Sequence, residues 1–140
     1  MANSWNLEPG LNHVGAYQVS GTPFATGSIN CAVDAQPMEG CIVNFPYVTR
    51  WIKVVNKDNV NPVRVGFSIS GVTGSFNFFE VGKASAANVY TDSGVLDLKV
   101  SSIVLSGSTS VDVVAGLTGI GVNRTKTSAG SNWSGSAGVG

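Results

Sequence analysis

One histidine, two cysteines and eight carboxylates are spread over 140 residues, and their positions limit the reactions open to them. His13 has no Cys or carboxylate at metal-ligand spacing, so a zinc site would have to draw ligands from distant parts of the chain. Nucleophilic catalysis needs a Ser, Thr or Cys beside a base. Serine is abundant, but no nucleophile-elbow pattern precedes a helical stretch, and the nearest match, GSAGVG at 135–140, falls in a Gly/Ser-rich end. Paired carboxylates can hydrolyse a glycosidic bond, and Glu80, Asp97 and Asp112 are the acids that strands would carry. Asp97 shares a face with Lys99, and Asp112 is expected near Lys99 across a sheet, which reads as solvated cross-strand ion pairing. No catalytic residue, cofactor or metal site is expected. Cys31 and Cys41 are ten positions apart, and a bond between them would close a loop worth ~2–3 kcal/mol in the chain-entropy model. In a reducing compartment two such thiols read instead as small buried side chains.

These groups must be placed by strands. From about Val14 to Ile120 the apolar pattern has a period of two, broken by turn residues. In VRVGFSIS, Val63, Val65, Phe67 and Ile69 fall on one face, which predicts a strand through Ser70. In YVTRWIKVVN, Val48, Ile52 and Val54 oppose Tyr47, Trp51 and Val55, which predicts a central strand covered on both sides. NKDNVNP ends it, and a hairpin into Val63–Ser70 is expected. After SFNFFEV, three further strands are read: Leu96–Val100 with Asp97 and Lys99 turned outward, a segment around Ile103 and Leu105, and Val111–Thr118. SGSTS is expected to make a hairpin between the last two. Helical periodicity never exceeds one or two turns, and 18 glycines punctuate the chain. The reading is all-β, an antiparallel β-sandwich of jelly-roll type spanning 13–120. Trp51, Tyr47 and Phe78 have the types of a sugar-stacking platform, but alternation within strands favours Trp51 and the aromatics of NFFE as core.

The ends read differently. Residues 1–12 hold only Trp5, Leu7 and Leu11 as large apolar groups, and 121–140 only Val122, Trp133 and Val139. Segments so poor in apolar surface do not order themselves, so both are expected to be extended arms that dock on a neighbour. Trp5 and Trp133 would be the anchors, helped by Leu7 and Val139, with Arg124 and Lys126 meeting acidic groups. The alternative is that Trp133 folds back to cap its own sheet. On the arm reading, residues 121–140 are dispensable for folding.

Net charge is zero and the charged fraction 11%, under half the roughly 25% usual in soluble domains. Arg50, Lys53, Arg64, Arg124 and Lys126 form no basic stripe, so neither nucleic acid nor a membrane surface is an expected partner. MANSWNLEPGLNHVG lacks a basic n-region and an apolar run of signal length, which predicts synthesis in the cytoplasm and deprives the acceptor patterns at Asn123 and Asn132 of meaning.

FPYVTRWIKVVNKDNVNPVRVGFSISGV, NFFEV, GVLDLKVSSIVLSGSTSVDVVAGLTGI and NWSGSAGVG together resemble small β-sandwich structural proteins of tailed bacteriophages and related aquatic viruses, those that decorate or cement an icosahedral capsid. The resemblance covers roughly residues 40–140. It implies a non-enzymatic protein of the virion surface, present in many copies as a homo-oligomer, with a trimer favoured, whose partner is the major capsid protein. A host-recognition or carbohydrate-binding module of a tail or surface fibre is the competing expectation. A minor head protein at a vertex or connector is a third.

Overall fold

A computed structural model describes residues 21–32, 41–128, 130–133 and 135–140. Its described residues form β1 (Thr22–Ile29), β2 (Ile42–Asn44), β3 (Tyr47–Asn56), β4 (Val63–Gly66), a helix α1 (Ile69–Thr73), β5 (Phe79–Val81), β6 (Thr91–Asp92), β7 (Ser102–Ser106) and β8 (Val111–Gly121). A 3-10 turn (Val122–Thr125) and the two-residue strands β9 (Lys126–Thr127) and β10 (Gly130–Ser131) follow. Among the described residues strands dominate, and α1 is the one α-helix.

β3 shows why these residues make strands. Val48, Ile52 and Val54 are fully buried, while Trp51, Lys53 and Val55 lie half-buried on the opposite face. β8 repeats the pattern with Val111, Val113, Ala115 and Leu117 inside. Such branched, stiff side chains pack well on a pleated surface, and each one fully buried contributes about 1.5–3 kcal/mol. Trp51 was expected in the core; its parity with Lys53 puts it on the outer face, beside Gly116 of β8.

The strands form two four-stranded antiparallel sheets, in the orders β1-β8-β3-β6 and β2-β7-β4-β5. Ile52, Val54, Val111, Val113, Ala115 and Leu117 of the first sheet share one apolar cluster with Val43, Val63, Val65, Val81, Ile103 and Leu105 of the second. The pairing follows a rule. β1 lies against β8, β2 against β7, β3 against β6 and β4 against β5, so partners are equally far along the chain from α1. The chain behaves as a single long ribbon turned back at α1. Two further ladders, β3 with β8 and β4 with β7, close each sheet side by side.

This order corrects both expected hairpins. β3 and β4 belong to different sheets, as do β7 and β8. NKDNVNP and SGSTS do reverse the chain, but they carry it across the core to the other sheet. The strand expected through Ser70 is also shorter: it stops at Gly66, and Ser68 caps α1 by accepting the Gly71 N–H at 2.9 Å. α1 packs close to β4, where a Cβ on Gly66 would come within 2.7 Å of Val72.

The edge at β6 runs on irregularly beside β3. Ser93 N–H donates to Val54 O at 2.9 Å, Leu96 exchanges bonds with Ile52 at 2.8 and 2.9 Å, and Thr49 N–H donates to Val100 O at 3.0 Å. Leu96, Leu98 and Val100 turn inward and Asp97 and Lys99 outward, as their alternation predicts. Asp97 pairs with Arg50 at 3.0 Å. Asp112 pairs not with Lys99 but with Lys57 at 3.2 Å, and also accepts the Ser28 N–H at 2.9 Å where β1 bulges.

Candidate functional site: the C-terminal segment and the loop end

Of the residues expected to contact a partner, Trp5 and Leu7 lie outside the described residues, as do residues 1–12 as a whole. The other four belong to the segment after β8. Arg124, in the 3-10 turn, and Lys126, in β9, are exposed. Trp133 is half-buried against the apolar cluster between the sheets, and Val139 is buried. These two side chains therefore pack on the chain's own body, the fold-back arrangement that sequence left open for Trp133.

Local bonds explain how so polar a segment settles there. Thr125, itself buried, donates its hydroxyl to Val122 O at 2.8 Å, and β9 and β10 form a minimal hairpin. Ser136 N–H donates to Trp133 O at 3.0 Å and Val139 N–H to Ser136 O at 3.1 Å. The Ser68 hydroxyl, besides capping α1, donates to Val139 O at 2.6 Å. α1 thus serves as the dock for the last residues.

Gly71 makes that approach feasible. A Cβ there would lie 2.5 Å from Val139 O and 2.9 Å from Asn77 O, both backbone atoms that cannot swing aside. Gly→Ala within a helix ordinarily stabilises by roughly 0.5–1 kcal/mol. Gly71→Ala is expected to do the reverse, lowering the urea midpoint and speeding removal of the last residues by carboxypeptidase. A midpoint equal to or above that of the parent protein would show that Val139 does not sit against α1.

Away from α1, the loops after β3, β5 and β7 are fastened together by a buried polar cluster. Asp58, between β3 and β4, accepts the backbone N–H groups of Val60 (2.8 Å), Asn61 (3.2 Å) and Thr109 (3.0 Å), the Thr109 hydroxyl (3.0 Å) and the Asn61 amide (3.3 Å). Its own carbonyl accepts the Ala84 N–H at 2.7 Å. Next to it, Asn56 bridges the same loops to Ser108.

The Thr109 backbone bond above all, then those from Val60, the Thr109 hydroxyl and Asn61, hold the Asp58 carboxyl well below the usual carboxylate range; burial opposes them and loses. Unfolded chain binds this proton near the ordinary value of 3.8, whereas the folded protein does not. Stability from Asp58 is therefore complete above about pH 4–5 and declines as pH falls toward the depressed folded value. Urea midpoints measured between about pH 5 and about pH 2.5 should fall more steeply for the parent protein than for Asp58→Asn. Parallel slopes would remove Asp58 from the account.

Other apolar groups remain on the surface. Phe76 is 89% exposed. Phe78 and Phe79 are adjacent, so only one of them can follow the inward parity; Phe79 packs on the cluster, and Phe78 lies under the Arg64 guanidinium, 4.2 Å from its centroid. A signal for this was present in the sequence, since two neighbouring aromatics break a period of two. Between the edges of β1 and β2 opens a cavity of about 220 Å³ lined by Phe24, Thr26, Ile29, Ile42, Val43 and Asn44.

Among the described residues, no three His, Cys, Asp or Glu side chains are grouped to hold a metal ion, and no helix is long and apolar enough to cross a membrane. No family model, curated protein or solved structure matches the chain.

Proposed function

We propose that this chain is a structural protein of a virus particle, a jelly-roll β-sandwich that decorates or cements an icosahedral capsid by binding the major capsid protein. The observation that carries the reading is the strand order. Pairing of eight strands as 1–8, 2–7, 3–6 and 4–5 in two sheets is the order expected of a double Greek key, and so supports a jelly roll, an architecture of viral capsid and lectin domains. The likeness of residues 40–140 to capsid decoration proteins and the zero net charge, which gives little repulsion between crowded copies, support the same reading.

In this role the protein works mechanically. Surface buried across two coat subunits lowers the free energy of the closed shell relative to separated subunits. Interfaces of about 1,600 Å² hold with micromolar to picomolar affinity, and many equivalent contacts add avidity. Arg124, Lys126 and Phe76 are contact groups offered at the surface. Trp133 and Val139 act indirectly, by seating the segment that presents Arg124 and Lys126. Trp5 and Leu7 of an N-terminal arm would extend the contact, and a homo-oligomer, a trimer first, would place several such surfaces around a local symmetry axis.

Quantitative mass spectrometry of purified particles tests the reading. Copy numbers comparable with the coat protein are expected; a dozen or so would assign the chain to a connector, and absence from particles would end the proposal. The second reading, a glycan-binding module, draws on the same architecture and on Trp51 and Tyr47, which lie outside the core. Binding on a glycan array that Trp51→Ala abolishes would favour it.

A further inference from the structure

Neither the capsid reading nor the loop-end cluster uses the two cysteines. Cys31 follows β1 and Cys41 precedes β2, and both are free thiols in the structure, only 1% and 2% exposed within the apolar cluster. Cys31 is fixed by its backbone. Its N–H donates to Ser108 O at 2.7 Å, and its carbonyl accepts the Gly107 N–H, so it is tied to the turn between β7 and β8. The Cys41 thiol reaches the Asn30 carbonyl, one peptide before Cys31, at 3.7 Å. Both side chains belong to the same buried cluster. A Cys41 sulfur beside the Asn30–Cys31 peptide lies within one side chain's reach of Cys31, so the approach needed for a disulfide is short.

Burial, with the Cys41 contact adding to it, pushes the Cys31 thiol far above the usual thiol range. Thiol–disulfide exchange runs through the thiolate and needs access for the oxidant. In the closed fold both requirements fail. In the unfolded or partly folded chain both are met.

We propose that Cys31 and Cys41 form an intrachain disulfide only before the sheets close over them, making a staple set during folding and resistant to exchange once the protein is native. With a low-molecular-weight disulfide such as oxidised glutathione as the oxidant, one deprotonated cysteine attacks it and releases one glutathione thiol. The second cysteine, also deprotonated, attacks the protein sulfur of the mixed disulfide and expels the second glutathione. The protein loses two hydrogen atoms and is oxidised; one oxidised glutathione is reduced to two thiols. The bond would join the start of β2 to the Ser108 turn that the Asn56 and Asp58 cluster already fastens.

Two samples of the full chain distinguish this from simple burial of two inert thiols. One is unfolded, reduced and refolded in a mixture of oxidised and reduced glutathione; the other is kept folded in the same mixture for the same time. Alkylation and intact mass are then read. The refolded sample is expected to be lighter by two hydrogen atoms with no alkylable thiol, and the folded sample to keep both thiols. Glutathione adducts, linked dimers or free thiols after refolding overturn the proposal, as does rapid bond formation in the folded sample. Thermal melting gives a second measurement. The oxidised form should melt roughly 5–10 °C higher than the reduced form, and an equal or lower midpoint rejects a staple. Each outcome concerns the isolated chain, so it stands or falls separately from capsid binding.

Discussion

Asn56→Leu is expected to lower the thermal midpoint by roughly 10–15 °C, the equivalent of about 3–5 kcal/mol in a domain of this size. Asn56 closes β3 and is wholly buried. Its amide donates to Asn61 O at 2.9 Å, Gly82 O at 3.1 Å and Val81 O at 3.3 Å, while its oxygen accepts the Ser108 hydroxyl at 2.8 Å and the Asp58 N–H at 3.1 Å. Leucine has a similar shape, so no large cavity forms, and the loss is almost entirely that of partners. The buried bonds to the Val81 carbonyl, the Asp58 N–H and the Ser108 hydroxyl would be lost, and each group left unsatisfied in the interior costs about 1–3 kcal/mol. Ser108→Ala, which removes the hydroxyl together with its bond to Asn56 and its two longer bonds with the Ser110 backbone, should cost only about 1–2 kcal/mol. Were the two variants to melt together, the loops would not depend on Asn56, and the cluster would be a bystander to stability.

That cluster shows where sequence reading stops. NKDNVNP is legible as the end of a strand because Asn, Asp and Pro favour turns. Nothing local reveals that Asn56 and Asp58 also hold Ser108 and Thr109, 52 and 51 positions away. The inward faces of β3 and β8 were legible for the converse reason: alternation is a local signal, and Ile52, Val54, Val111 and Val113 obey it. Partner choice is not local. Turn residues announced that the chain reverses after β3 and after β7, but whether it returns in the same sheet depends on which faces the whole ribbon buries. Trp51 was misplaced because an aromatic inside an apolar run looks like core, although its parity is that of Lys53. α1 was missed because the alternation of Phe67 and Ile69 outweighed a serine cap and a glycine needed for close packing.

The same limit governs the C-terminal segment and leads to the second large expected effect. Counting apolar residues made 121–140 dispensable for folding, since Val122, Trp133 and Val139 cannot form a core alone. They need not do so, because the body of the protein supplies the other half of each contact. Trp133 lies on the cluster between the sheets, Val139 is buried with its carbonyl bonded to Ser68, and the 3-10 turn rests beside β3 and β8. A chain ending at Gly121 should therefore melt on the order of 10 °C lower, with burial of one aromatic and several smaller groups lost and only part of that offset by the freed chain entropy. Trp133→Ala should reproduce about 2–3 kcal/mol of the loss, below the 3–5 kcal/mol of a fully buried tryptophan because this one is half exposed. If the shortened chain and Trp133→Ala both melt with the parent protein, the segment is an independent arm after all, and Arg124 and Lys126 are presented by nothing rigid. If both fall as expected, loss of capsid attachment on truncation can no longer be credited to a missing contact alone, and a charge reversal at Arg124 and Lys126, with Trp133 left in place, becomes the substitution that separates binding from folding.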